Sequence, residues 1–305
     1  MNENNLKTRL ADLKLKNNVI TASGTFGFGT ELDDYLSVRD LGAITLKGIT
    51  VEKSEGNVLP RIAETPAGIL NSIGLENPGL NNFRNEVIPE IENLNVPIIV
   101  NISGYSINDF VQLAKSLEDE ECINAVEVNV SCPNIKDGGM AFGTDEEMIY
   151  KVTKEVAKVY SGPIIVKLSP NVTDIVEMAE AAVEGGADII SLINTLLGMA
   201  IDIEKKEAVL ANTFGGLAGP AVKPVALRMV YQIYEAIDVP IIGMGGIMNG
   251  KDAIEFLLAG ASAVGVGTAT LRDPAASVNI VSEIEEYLKE NNIESVSEII
   301  GKAHK

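Results

Sequence analysis

One stretch of the sequence carries several side chains that could do chemistry where a strand ends. Residues 126–134 begin as an apolar, β-branched run, which is typical of a doubly buried strand, and then include Asn129 and Cys132. In parallel α/β barrels the carboxyl ends of the strands carry the catalytic side chains, because the loops that follow form the active face. Pro133 disfavours the α region at Cys132, so we expect the thiol to lie on an extended loop.

Other apolar, strand-like runs also end on polar residues, namely Lys47, Asn101, Lys167 and Asn194. A single amide at a strand end is usually a cap for the following loop. An unpaired buried amine or amide costs on the order of several kcal/mol, so a whole set of such endings needs another explanation. We therefore expect these residues and Asn129 to converge on one pocket.

Glycine clusters follow the last two predicted strands, at 243–247 and 265–269. In barrels of this kind the loops after strands seven and eight often bind phosphate, and glycine lets the anion approach the backbone. Gly215–Pro220 could add another close-approach segment. Each cluster alone could be a tight turn, but two in consecutive positions favour a phosphate-bearing ligand. The glycine-rich loop 24–29 lacks the spacing of a dinucleotide fingerprint.

Strands must alternate with helices to bring these endings together. Eight apolar runs fit strands, at 19–22, 43–47, 97–101, 125–129, 163–167, 188–193, 240–244 and 263–266. The length of 305 residues allows two average domains or one large barrel, but no linker interrupts the alternation. The pattern predicts an α/β fold, a single (β/α)8 TIM barrel domain spanning 1–305. Leu10–Leu15 and Val19–Ser23 flank 16–18, which predicts a short N-terminal barrel-floor hairpin.

Composition excludes several functional classes. With 24 basic and 43 acidic residues the net charge is −19, which argues against a nucleic-acid partner. The first sixteen residues lack a signal-peptide core, and the longest apolar run, 189–201, is too short for a membrane span, so we expect a cytoplasmic protein without a membrane anchor.

Cysteine and histidine usage narrows the chemistry further. Cys122 and Cys132 are too few for a disulfide framework, a zinc site or an iron–sulfur cluster, and no metal site is expected. The only histidine, His304, is next to the last residue, which argues against a histidine base. Acid–base work is left to Cys, Lys, Asp, Glu or Tyr. Cys122 is interpreted as a small packing residue.

Three segments of the sequence are distinctive, namely Asn129–Asn134, Pro60–Gly68 and Asn71–Gly79, together with the glycine pairs after strands seven and eight. In these residues the sequence resembles the dihydroorotate dehydrogenase family. The likeness extends from about Leu10 to Pro274 without large gaps, and the first and third segments are highly specific. Within the family the chain is most similar to the class 1B, NAD-linked catalytic subunit, because of residues 137–143 and 76–79.

The resemblance implies flavin-dependent oxidation of (S)-dihydroorotate to orotate in the de novo synthesis of UMP. Cys132 would remove the proton from C5, and hydride from C6 would pass to N5 of one FMN per chain. It implies that FMN is bound by Ser23, Lys47, Gly48, Asn101, Asn129, Lys167, Ile193, Gly219, Gly245, Gly246, Gly267 and Thr268. It implies that the pyrimidine is bound by Lys47, Asn71, Ser72, Ile73, Gly74, Leu75, Asn129, Asn194 and Thr195.

The resemblance also suggests how these residues divide the work. Lys167 is expected near N1 and C2 of the flavin, where it would stabilise the reduced form, and Lys47 is expected to bridge flavin and substrate. Cysteine at the base position fits the class 1 enzymes and not the membrane-associated class. The glycine-rich loop 133–143 is a candidate lid.

Electron transfer to NAD would need a second protein. The sequence has neither a dinucleotide fingerprint nor the cysteines for a cluster, and the resemblance implies a separate subunit with FAD and [2Fe-2S]. Two such subunits would assemble with a homodimer of this chain as a heterotetramer. Three alternatives remain, namely a fumarate-linked class 1A enzyme, an enzyme resembling dihydropyrimidine dehydrogenase, and a non-catalytic barrel that binds a phosphorylated ligand.

Overall fold

The computed structural model describes residues 5–131 and 142–305. In chain order its strands are β1 (Thr8–Leu10), β2 (Leu13–Leu15), β3 (Val19–Thr21), β4 (Ile44–Thr45), β5 (Ile62–Thr65), β6 (Gly68–Asn71), β7 (Ile98–Ile102), β8 (Ile123–Asn129), β9 (Ile164–Lys167), β10 (Ile189–Leu192), β11 (Leu196–Gly198), β12 (Ile201–Asp202), β13 (Glu207–Ala208), β14 (Gly215–Ala218), β15 (Ile241–Met244) and β16 (Ala263–Val266).

The α-helices are α1 (Gly79–Asn82), α2 (Ile88–Ile91), α3 (Ile107–Leu117), α4 (Glu146–Ala157), α5 (Ile175–Glu184), α6 (Lys223–Tyr234), α7 (Gly250–Leu258), α8 (Thr268–Arg272) and α9 (Ala276–Glu290). A π-helical segment, Phe83–Val87, joins α1 to α2. Where the chain is described, no helix is long and apolar enough to cross a membrane.

The central sheet is a closed parallel barrel. Its eight strands are β3, β4, β7, β8, β9, β10, β15 and β16, and spatial neighbours follow chain order. The last strand pairs with the first through Val264 and Val19, and a parallel bridge between Ile20 and Ala43 joins the first strand to the second. The predicted (β/α)8 barrel is therefore confirmed.

Both faces of these strands are buried, which explains their continuous β-branched runs. On β8, Val126 and Val128 face outward into the large cluster that includes the helices' apolar stripes. Ala125 faces inward, into a second cluster that fills the barrel. Because successive side chains alternate, Glu127 and Asn129 also face inward, one and two layers closer to the carboxyl end.

Four of the helices, α3, α4, α5 and α7, begin at side-chain caps. Asp145 caps α4 by accepting a hydrogen bond from the backbone N–H of Met148, at 3.1 Å, and Asp174 caps α5 by accepting one from Val176. On α4, Ile149 and Val152 are fully buried against the barrel. Side-chain capping and burial of one stripe thus fix where these helices start and which way they face.

A hairpin closes the floor of the barrel, as expected, but its turn is elsewhere. β1 and β2 pair antiparallel with Leu10 opposite Leu13, so the chain turns at Ala11–Asp12 and not at residues 16–18. Asn17 instead accepts from Val19 N at 3.1 Å and donates to Asp40 O at 2.8 Å, which leads the chain into β3. The leucines of the hairpin pack into the inner cluster and seal it.

A four-stranded antiparallel sheet was not predicted. Its order is β11-β14-β6-β5, and its strand β14 takes up the first four residues of the segment Gly215–Pro220, which the sequence suggested as a close-approach segment. Gly216 pairs with Asn71, and a Cβ at Gly216 would lie 2.0 Å from Thr195 Oγ1, so this position needs glycine. A strand rich in glycine shows no alternation of apolar and polar residues, which is why its pattern was missed.

Candidate active site

One cavity collects residues at the ends of five barrel strands and after one strand of the antiparallel sheet. The predicted cofactor- and substrate-binding residues among its lining are Ser23, Lys167, Ile193, Asn194, Thr195, Gly219, Gly245, Gly246, Gly267 and Thr268. They come directly after β3, β10, β14, β15 and β16, or end β9. The carboxyl ends of parallel strands share one end of a barrel, so closure brings together the segments after β3, β9, β10, β15 and β16, and the antiparallel sheet adds the segment after β14.

Glycine is required at the turn after β15. Gly246 has a φ of 79°, and a Cβ there would lie 2.8 Å from the carbonyl oxygen of Gly219 and 2.8 Å from Lys223 Cβ. Gly219 itself has a φ of 97°. The two turns therefore pack backbone against backbone at the wall of the cavity, and a ligand can approach the chain closely there. Such a wall suits a phosphate group, as the sequence predicts.

Lys167 links this cavity to a buried charge inside the barrel. Its Nζ lies 3.8 Å from Glu127 Oε2, and both side chains are almost fully buried. The other contacts of the carboxylate are hydrogen bonds from Asn101 Nδ2, at 2.6 Å, and from Ser191 Oγ, at 2.7 Å. Four neighbouring strands, β7 to β10, thus meet at Glu127.

A chain of hydrogen bonds also connects Asn101, through Asn129 and Ser131, to the backbone carbonyl oxygen of Lys167. Asn129 Nδ2 donates to Asn101 Oδ1 at 3.4 Å, and Asn129 Oδ1 accepts from the backbone N–H of Ser131 at 3.3 Å. The Ser131 hydroxyl lies 3.1 Å from Asn129 Oδ1 and 3.1 Å from the carbonyl oxygen of Lys167. We call this closed circuit of Glu127, Asn101, Asn129, Ser131 and Lys167 the polar ring.

Two more predicted residues, Lys47 and Gly48, lie outside the cavity lining. Gly48 is so close to Asn101 that a Cβ would come within 2.6 Å of Asn101 Oδ1. Lys47 is half-buried, and its backbone N–H donates to Gly27 O at 2.8 Å. Gly48 therefore lies against the ring that contains Asn101 and Asn129, whereas the glycine turns group around the cavity, and Lys167 belongs to both.

The predicted pyrimidine-binding segment Asn71–Leu75 is divided. Asn71 Nδ2 donates to Gly216 O at 3.2 Å, which sets it against the same strand that Thr195 touches. Ser72 Oγ accepts hydrogen bonds from Asn212 Nδ2, at 3.1 Å, and from Asn57 Nδ2, at 3.2 Å. None of the five residues of this segment lines the cavity, and Ser72 and Ile73 contact the loop around Asn57.

Of the two cysteines, only Cys122 is among the described residues. Cys132 and the proposed lid residues 133–141 lie outside the described residues. Cys122 is half-buried against the outer core, and burial, followed by the charge of Glu120, raises the pKa of its thiol. A thiol held neutral in an apolar setting suits packing more than reactivity.

Sequence reasoning missed three residues that the structure joins to the predicted ones. Glu127, Ser131 and Ser191 are each less than a tenth exposed and contact the ring or belong to it. One signal for Glu127 was present, because it is a lone charge inside a β-branched strand. Burying a charge is costly without partners, so such a position predicts a buried network.

Comparison with known proteins shows to which family the chain belongs. The family model for dihydroorotate dehydrogenase matches residues 5–288, which is most of the chain. The chain belongs to the dihydroorotate dehydrogenase family. A relative from Alkaliphilus metalliredigens is 54% identical over 301 residues, with 99% of each chain covered. One from Geobacter sp. is 52% identical, again with 99% of each chain covered. A third, from Desulforamulus reducens, is 54% identical, with 98% of this chain and 99% of the relative covered.

All three relatives are named dihydroorotate dehydrogenase B (NAD(+)), catalytic subunit. The resemblance seen in the sequence is therefore confirmed, including its NAD-linked class. The reaction of the dihydroorotate dehydrogenase family is the flavin-dependent oxidation of dihydroorotate.

Proposed function

We propose that this chain is the catalytic subunit of an NAD-linked dihydroorotate dehydrogenase, and that it oxidises (S)-dihydroorotate to orotate in pyrimidine biosynthesis. One observation carries the proposal beyond family membership. The residues that the resemblance assigns to flavin and to pyrimidine come from distant parts of the chain, yet Lys167, Asn194, Thr195 and the glycine turns line the same cavity.

The flavin is FMN in this proposal. The close backbone packing at Gly219 and Gly246 fits a phosphate that must approach the main chain, and Gly267 and Thr268 continue the same wall. Ser23 and Lys167 also line the cavity and would hold the group from the β3 and β9 sides. Bound FMN would supply a hydride acceptor. Lys167 would place a positive charge beside it, which favours the reduced, anionic form.

The pyrimidine would be held by amide and hydroxyl groups. Asn194 and Thr195 line the cavity next to Lys167, and Asn71 lies against Gly216, the glycine closest to Thr195. An asparagine offers a donor and an acceptor together, which suits a ring whose N–H and C=O groups alternate. Asn171 supports this edge, because its Nδ2 donates to Thr195 O at 2.9 Å.

Cys132 is the proposed base that takes the C5 proton. A free thiol has a pKa of about 8.5, so the base needs a setting that favours the thiolate or excludes water. Ser131, the residue before it, is tied on both sides by the polar ring. In the proposal, the ring fixes where the Cys132 loop starts, and residues 133–143 cover the substrate as a lid.

The physiological acceptor would be reached through other subunits. The names of the relatives include the words catalytic subunit, which supports an assembly with a partner. We propose a cytoplasmic heterotetramer of two of these chains and two electron-transfer subunits that carry FAD and [2Fe-2S] and pass electrons to NAD. The lack of a dinucleotide fingerprint in the sequence supports this division of labour.

The purified chain tests the proposal directly. We expect a yellow protein that releases FMN on denaturation, loses its visible absorption when dihydroorotate is added without oxygen, and is reoxidised by neither fumarate nor NAD. Reoxidation by fumarate would identify a class 1A enzyme instead. Faster turnover of dihydrouracil would point to an enzyme of the dihydropyrimidine dehydrogenase type, and a colourless chain from flavin-replete cells would contradict flavin chemistry.

A further inference from the structure

We propose that Glu127 is a positioning residue of this site: its carboxylate sets the direction of the Asn101 and Asn129 amides and offsets the charge of Lys167. The inference rests on the proposed function, because those three residues are among the residues expected to contact flavin or pyrimidine. Glu127 itself was not among the predicted site residues.

The groups around the Glu127 side chain are hydrogen-bond donors, which require an acceptor at this position. The residue is 2% exposed, and its two oxygens face donors from three different strands. Asn101 Nδ2 is at 2.6 Å, Ser191 Oγ is at 2.7 Å and Lys167 Nζ is at 3.8 Å. A buried carboxylate that receives this many donors is compensated, whereas a neutral side chain of the same shape would leave some of them unpaired.

Because a carboxylate only accepts, it gives the ring a direction. The NH2 group of Asn101 must point at Glu127, so its oxygen must point at Asn129. The NH2 group of Asn129 is then turned to Asn101, and its oxygen is turned to Ser131. The Glu127 carboxylate thus decides which donor and acceptor positions of the Asn101 and Asn129 amides are left for a ligand. Those positions must match the ligand's own donors and acceptors.

The charge of Glu127 has a second effect. The Lys167 side chain is 6% exposed, so water screens its charge poorly, and the nearest opposite charge among the described residues is Glu127. The carboxylate therefore weakens the positive potential that Lys167 contributes to the cavity. Removal of the negative charge should favour a reduced, anionic ligand beside Lys167.

Glu127→Gln is the test, because it keeps the shape and removes the charge and the fixed direction. We expect the variant to retain FMN, to show a more positive midpoint potential, and to have a kcat about tenfold lower with a raised KM for dihydroorotate, the size expected when one hydrogen-bonding pattern is lost. Glu127→Asp keeps a charged acceptor and should stay near the wild-type potential.

Asp188→Asn is the matched control. Asp188 Oδ2 also accepts a hydrogen bond, from Ile164 N at 2.9 Å. This bond lies where β9 and β10 begin, at the opposite end of these strands from the polar ring. We expect it to lower thermal stability and to leave the potential and the KM unchanged. If it shifts the potential as Glu127→Gln does, a general loss of structure explains both, and the inference is wrong.

The remaining outcomes are also decisive. A wild-type chain that binds no flavin, or is not reduced by dihydroorotate, would refute the proposed function itself. A functional wild-type chain with an unchanged potential and unchanged kinetics in Glu127→Gln would refute only the role of Glu127. Should Glu127→Gln fail to fold, Glu127→Asp decides: a raised KM at an unaltered potential supports the inference, and wild-type kinetics overturn it.

Discussion

The hydroxyl of Ser131 lies 3.1 Å from the main-chain oxygen of Lys167. This contact ties the residue before Cys132 to the end of the neighbouring strand, and Ser131 is 8% exposed. The last described residue before the proposed base is therefore held by β9, and its backbone N–H is held by Asn129 at 3.3 Å. Ser131, the last described residue before Cys132, is thus fixed by one buried and one half-buried hydrogen bond.

Ser131→Ala should lower turnover without removing flavin. The variant loses one buried hydrogen bond, worth about 1 kcal/mol, and so loosens the chain at Ser131, next to the proposed base. We expect kcat to fall severalfold at normal FMN content, measured by dihydroorotate-dependent reduction of a dye. Ser116→Ala is the control, because Ser116 bonds Gln112 O on the exposed side of α3. Equal kinetics in both variants would contradict a role for the Ser131 contact.

Cys132→Ala and Cys132→Ser should bind FMN normally and lose most dihydroorotate oxidation. General-base catalysis is worth roughly 10²–10⁴-fold, so the alanine variant should fall by that order. Cys122→Ala is the matched control and should keep full activity, since Cys122 only packs against the core. Full activity in Cys132→Ala would remove the thiol from the base role.

Lys167→Met should destabilise the fold as well as impair the flavin site. It leaves Glu127 buried without its ion-pair partner, which costs roughly 3–5 kcal/mol when one member of a buried pair is removed. The double variant Lys167→Met/Glu127→Gln should recover much of that stability in urea unfolding, but not the activity. If the single and double variants unfold at the same urea concentration, the pair is not coupled.

Gly246→Ala should prevent FMN binding. A Cβ would meet the Gly219 carbonyl at 2.8 Å, at a φ of 79° that side chains rarely adopt. We expect a colourless or weakly loaded protein. Gly186→Ala is the control for backbone strain alone, because Gly186 has a φ of 107° but lies outside the cavity, with Ala157 Cβ at 3.2 Å. Loss of FMN in both variants would point to strain and not to the turn.

Tyr160 should make the fold weaker at alkaline pH. Burial, followed by the charge of Glu118, raises the pKa of its hydroxyl to about 12. The folded state keeps the proton that the unfolded chain releases near pH 10, so this stability is complete below pH 10 and is lost as the pH rises towards 12.

Tyr160→Phe should therefore flatten the decline in stability between those values, by on the order of 2 kcal/mol. Urea unfolding at a series of pH values measures the slope. Tyr35→Phe is the control, because Tyr35 is 65% exposed. An identical slope in wild type and Tyr160→Phe would mean that the hydroxyl titrates normally.

Local patterns in the sequence were sufficient for the barrel and for the family. The β-branched runs marked all eight parallel strands, because a strand buried on both faces must be apolar along its whole length. The segments Asn71–Gly79 and Asn129–Asn134 were distinctive enough to indicate dihydroorotate dehydrogenase, which the family match confirms. The position of the hairpin turn was wrong, since Asn17 serves as a lead into β3 and not as a turn residue.

The tertiary structure decided which of these residues meet. Glu127 is on β8, and its partners Asn101, Lys167 and Ser191 are on three other strands, 26, 40 and 64 positions away in the chain. Their contact depends on strand register and barrel closure, which no local periodicity encodes. The antiparallel sheet that brings Asn71 to Gly216 also depends on long-range pairing, and its glycine-rich strand shows no alternation that could have revealed it. The sequence by itself determined the strands and the types of chemistry, and long-range pairing determined the polar ring.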